Sequence, residues 1–167
     1  MTSPIRFAIV GTGWRSQFFL RLAQTLPDRF EVVAVVAQSD AGAEKIRTGW
    51  DVSVVRTPMP GVTIELTELG LPVLAETPPA PDPAGLRALW EALGPDNRVQ
   101  VAEQYYLMPG HAARIAVTKQ GAIGTPTAVQ IHSTHLYHAV SLIRTYLGVG
   151  FDEVTVNART FTAPLLD

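Results

Sequence analysis

The chain has 167 residues, 47% of them hydrophobic and 17% charged, with a formal net charge of -2. That length suits one domain or one and part of a second with a sizeable core, and the small net charge leaves no electrostatic footprint for nucleic acid or a membrane surface. The absence of cysteine excludes disulfides, thiolate catalysis and cysteine-based zinc sites. No apolar run approaches the ~20 residues that a membrane helix needs, and residues 1–10 lack the pattern of a signal peptide. A soluble cytoplasmic protein is expected.

The first predicted element is a strand at 5–10, where Phe7 and Ile9 alternate in a short apolar run. It ends in Gly11-Thr12-Gly13-Trp14-Arg15-Ser16. A helical pattern over 14–26 starts at once, with Phe18, Leu22 and Leu26 spaced by four. Strand, glycine turn and helix is how a doubly wound sheet offers backbone N–H groups to a phosphate. In this reading Gly11 permits the tight turn and Gly13 lets a pyrophosphate approach. Ser16 stands where the fingerprint has its third glycine. The plainer alternative is a strand-to-helix turn with no ligand.

The next predicted strand, 30–37, is nearly continuous in apolar residues, as expected where both faces of a parallel sheet are covered. A helix at 40–47 leads to a strand at 52–57 ending in Thr57-Pro58, then to a helix at 60–69. A strand at 72–76 runs into Glu76-Thr77-Pro78-Pro79. The helix at 82–93 has Asp82 as its N-cap, and Gly94-Pro95 ends it. A strand at 98–103 runs into Glu103-Gln104-Tyr105-Tyr106. Helices at 109–120 and 138–147 and strands at 126–135 and 152–161 complete the series.

This alternation predicts an α/β fold. In an open parallel sheet, ligands sit beyond the carboxyl ends of the strands. The candidate cofactor-binding residues are therefore Gly11, Thr12, Gly13, Trp14, Arg15, Gln38, Ser39, Thr57, Pro58, Glu76 and Gln104. For each segment the alternative is a solvent-facing loop.

Four signals then occur in order: the Gly11-x-Gly13 turn, Pro72-Val-Leu-Ala-Glu76-Thr-Pro78, Gly121-Ala-Ile-Gly124, and Tyr137-His138 through Arg144 to Leu147-Gly148. Together they resemble the glucose–fructose oxidoreductase / inositol dehydrogenase family. The resemblance implies a Rossmann-type doubly wound parallel sheet over 1–107. It also implies an incomplete α+β domain over 108–167 that serves substrate binding and oligomerisation. An NAD or NADP cofactor, a homo-oligomer, and hydride transfer to or from a small polar carbonyl or hydroxyl compound such as a sugar or polyol derivative are the functional expectations.

Departures from the family pattern bear on catalysis. The family's Glu-Lys-Pro reads Glu76-Thr77-Pro78 here, so Thr77 takes the place of a lysine near the hydride-transfer centre and supplies no cation. The family's aspartate four residues before the histidine is Thr134 here. The catalytic candidates are thus His138, as proton donor or acceptor, and Thr77. Their alternative reading is a catalytically degenerate member that binds dinucleotide as a sensor or partner subunit. A Rossmann domain for another nucleotide is a third reading.

The family carries a further strand–helix unit before the strand matching 52–57, whereas about a dozen residues intervene here. The second sheet should also continue past Asp167. These mismatches predict a break in the chain between about 44 and 51. His132, His135 and His138 recur every third residue. Two of them fall in a strand pattern, where that spacing puts side chains on opposite faces, and no metal is assigned. Gln38 stands where NAD enzymes carry a carboxylate, and Lys45 and Arg47 lie farther along. The choice between NAD and NADP stays open.

Overall fold

A computed structural model describes residues 3–56, 61–134, 136–150, 152–160 and 162. Thr57, Pro58 and His135 lie outside the described residues. The chain forms two units, Met1–Glu65 and Leu66–Asp167.

In the first unit, strand β1 (Ile5–Val10) leads through helix α1 (Trp14–Thr25) to β2 (Phe30–Ala37). Helix α2 (Asp40–Gly49) then leads to β3 (Val54–Arg56). The strands are parallel in the order β1-β2-β3, with Ile9 opposite Val35 and Val36 opposite Val55. Parallel neighbours need crossovers, which the two helices supply.

Ser16 and Leu20 of α1 and Ala43 and Ile46 of α2 are buried, at the three- and four-residue spacings that define one helical face. Ile9, Leu20, Val35 and Ile46 form the core, and Phe7, Phe19, Val32, Trp50, Val52 and Val54 pack against it. Ser39 caps α2, its Oγ accepting the Gly42 N–H at 3.1 Å.

The expected break near 44–51 is absent. Helix α2 runs through Gly49, and Trp50 donates its N–H to the Ile46 carbonyl at 2.9 Å. Trp50 and Val52 join the core, so the short connection is a packed part of the unit.

Helix α3 (Val62–Glu68) spans the division between the units. In the second unit β4 (Val73–Ala75) and β5 (Val99–Val101) pair in parallel, joined by α4 (Pro83–Leu93). Asp82 caps α4 as its sequence predicts, accepting the Gly85 N–H at 2.7 Å, with Pro83 opening the first turn. A 3-10 turn (Tyr105–Leu107), α5 (Pro109–Lys119) and α6 (Leu136–Leu147) follow. Parallel strands alternating with helices confirm the α/β class. Among the described residues the strands form a three-stranded and a two-stranded sheet.

The predicted strands at 126–135 and 152–161 are corrected: their described residues form no strand. Alternation supplies a face for burial, but a strand also needs a hydrogen-bonded neighbour. Residues 152–160 are all exposed.

Candidate functional site

Two clusters hold most of the residues singled out in the sequence. The first lies at the carboxyl end of β1. Gly11 has φ 112°, a conformation that glycine adopts readily and other residues rarely. Its N–H donates to the Val36 carbonyl at 2.9 Å.

Gly13 is a different case. It is the N-cap of α1 with φ -70° and ψ -176°, which any residue adopts. A Cβ built there meets nothing within 4 Å. Neither the backbone conformation nor the packing of the chain calls for glycine at this position, whereas a ligand lying against the backbone would. Helix α1 has no side-chain cap and no acidic residue in its first turn, so its own sequence does not offset its positive end. Ser16 is buried and folds back to donate its Oγ–H to the Gly13 carbonyl at 2.5 Å. The hydroxyl in place of a third glycine therefore braces the turn.

Neighbouring residues complete this cluster. Trp14 is exposed, and the Arg15 guanidinium lies 4.5 Å over its ring. Lys45 Nζ donates to the Thr12 carbonyl at 3.3 Å, bringing an ammonium to the glycine turn. A side chain at Gly42 would run into Thr12, so α2 comes this close because Gly42 has none. Gln38 and Ser39 follow β2 directly. The nearest carboxylate after them, Asp40, is paired with Arg56 Nε at 3.0 Å. Arg56 in turn lies opposite Ala37, the last residue of β2. These residues fit the diphosphate of a dinucleotide: an open backbone cradle, an uncapped helix start and a nearby cation.

The second cluster lies beyond β4 and β5. Glu76 Oε1 accepts both the N–H of Thr77 at 2.9 Å and its Oγ1–H at 3.2 Å. Thr77 therefore positions Glu76, and the following Thr77–Pro78 peptide is cis. Gln104 opens the 3-10 turn, its carbonyl accepting the Leu107 N–H at 2.9 Å.

At the start of α6, His138 Nδ1 lies 2.6 Å from Glu103 Oε2, and these side chains are only 12% and 14% exposed. Glu103 Oε1 accepts the Tyr105 N–H at 3.0 Å. The ring centroids of Tyr105 and Tyr137 lie 4.6 and 4.4 Å from that of His138. In the neutral ring, an Nδ1–H donated to the carboxylate leaves the lone pair on Nε2. The carboxylate and the two aromatic rings together hold the imidazole in one orientation.

Glu103 belongs to the Glu103-Gln104 strand end, a candidate segment in the sequence; its pairing with His138 is what sequence reasoning did not show. The signal for Glu103 itself was a carboxylate at the carboxyl end of a predicted strand, as for Glu76. Thr134 has its Oγ1 buried without a hydrogen-bond partner among the described residues. His132 lies in an irregular segment and His138 on a helix, so the two do not share a strand, and no group of three or more His, Asp or Glu among the described residues could hold a metal ion.

No family model matches the chain, and no curated protein matches it significantly in sequence. Solved structures do share its fold. An oxidoreductase from Thermotoga maritima superposes with a TM-score of 0.64 at 19% identity, over 87% of this chain and 60% of its own. An oxidoreductase from Sinorhizobium meliloti gives 0.64 at 19% identity, over 88% of this chain and 53% of its own. An oxidoreductase from Agrobacterium radiobacter, in complex with NAD+, L-tartaric acid and magnesium, gives 0.51 at 17% identity, over 74% and 42%. The chain thus spans less than two thirds of the length of these neighbours, and the likeness is one of fold.

Proposed function

We propose that the chain is an NAD- or NADP-dependent oxidoreductase of the glucose–fructose oxidoreductase / inositol dehydrogenase type. Its substrate class is a small polar carbonyl or hydroxyl compound, such as a sugar or polyol derivative. The observation that carries this reading is Gly13: a glycine that neither strain nor packing requires, at the uncapped start of α1. Shared fold with oxidoreductases, one of them holding NAD+, supports it.

When bound, the nicotinamide supplies the hydride donor or acceptor. The chain's own residues do the rest. The N–H groups opening α1, with Lys45 beside Thr12, hold the diphosphate. His138 Nε2 takes the proton from the substrate hydroxyl in oxidation and returns it in reduction. Glu103 fixes the ring and favours the imidazolium that forms. Thr77, through Glu76, shapes the rim of the β4 end.

Replacing His138 with alanine lowers turnover by about 10²–10⁴-fold while leaving cofactor affinity unchanged. Steady-state assays over a panel of polyols and sugars with either cofactor check this, alongside binding titrations. A second reading is favoured by Thr77, whose hydroxyl is committed to Glu76 and which supplies no cation. On it the chain binds dinucleotide as a sensor, and cofactor binding without turnover on any substrate would select it.

A further inference from the structure

An open cavity of about 490 Å³ lies in the second unit between α5, α6 and the irregular segment that follows α5. Its volume falls within the range of small-molecule sites. None of the described cofactor or catalytic candidates lines it. Its polar lining includes His111 and Arg114 on α5, Tyr146 on α6 and His132, with the neutral Thr118, Gln130 and Ser133 beside them. Its apolar lining includes Ile123, Pro126, Val129 and Ile131. Among the described residues no aspartate or glutamate contributes to it.

His111 sharpens the chemistry. Its Nδ1 is shut off from solvent and has no hydrogen-bond partner among the described residues. Burying an N–H without an acceptor is costlier than leaving a lone pair unused. The ring proton therefore belongs on Nε2, which makes His111 a donor there. Arg114 adds guanidinium donors and a fixed positive charge, and Tyr146 adds a hydroxyl. Several donors and one permanent cation, with no competing acid among the described residues, suit an anion. The apolar residues suit an organic body attached to that anion, which inorganic phosphate lacks.

We propose that this cavity binds a small organic carboxylate, its charged end on Arg114 and His111 and its apolar end against Ile123, Val129 and Ile131. The inference does not depend on the dinucleotide reading, whose residues lie elsewhere.

Benzoate is a suitable probe, with benzyl alcohol and inorganic phosphate as controls. Titration followed by calorimetry and by the imidazole signals of His111 and His132 should show saturable benzoate binding, with benzyl alcohol and phosphate both at least about tenfold weaker. Before any ligand is added, the His111 ring should read as the Nε2–H tautomer. Arg114→Gln changes an exposed helix residue and should leave the fold intact while weakening benzoate about tenfold or more, the loss expected for a charge-assisted hydrogen bond. Tyr146→Phe should weaken it by a smaller factor. Absence of saturable benzoate binding, equal binding of benzyl alcohol, or full affinity in Arg114→Gln would overturn the proposal.

Discussion

At the scale of single residues, the chain uses its polar side chains to hold one another in place. Glu103 is directed at both oxygens, one to the Tyr105 N–H and one to His138. A largely buried carboxylate needs partners for its oxygens, and here both are hydrogen-bonded. Glu103→Ala should destabilise the second unit by about 1.5–3 kcal/mol, the usual loss for a hydrogen bond to a charged group. Denaturant titration checks the magnitude, and an unchanged midpoint would mean that the pair contributes nothing net. Ser16→Ala removes the donor to the Gly13 carbonyl and should cost about 1 kcal/mol by the same measurement.

At the scale of elements, the first unit rests on two helices packed against a three-stranded sheet. Ile46 is fully buried on α2 and touches the core formed with Ile9, Leu20 and Val35. Ile46→Ala should cost about 2–5 kcal/mol, combining lost transfer energy with the cavity left behind. A thermal melt resolves a change of that size in a unit this small. Gly42→Val forces α2 away from Thr12 and should loosen the Lys45 contact as well.

Elements of this kind were legible in the sequence because their signals are local. Apolar runs marked β1 and β2, Asp82 and Gly94 bracketed α4, and Gly11-x-Gly13 marked the turn into α1. The strands expected at 126–135 and 152–161 were not recoverable in this way, since pairing depends on a neighbour that no local pattern specifies. The same holds for the candidate site. The glycine turn could be read directly, whereas the link between Glu103 and His138 joins residues 35 apart and is made by tertiary structure alone.

At the scale of the whole molecule, the chain has the fold of oxidoreductases while spanning 60% or less of the neighbours' own lengths. No helix among the described residues is long and apolar enough to cross a membrane. The central claim is that the β1–α1 turn receives a dinucleotide. The most direct test is fluorescence titration of the chain and of its Gly13→Val variant with NADH and NADPH. Since a Cβ at position 13 meets nothing within 4 Å and the backbone there suits any residue, the variant should melt within about 1 kcal/mol of the parent. The account predicts saturable binding of at least one of the two cofactors by the parent and its near-complete loss in the folded variant. Undiminished affinity in a folded Gly13→Val protein, or no binding of either cofactor by the parent, would contradict it.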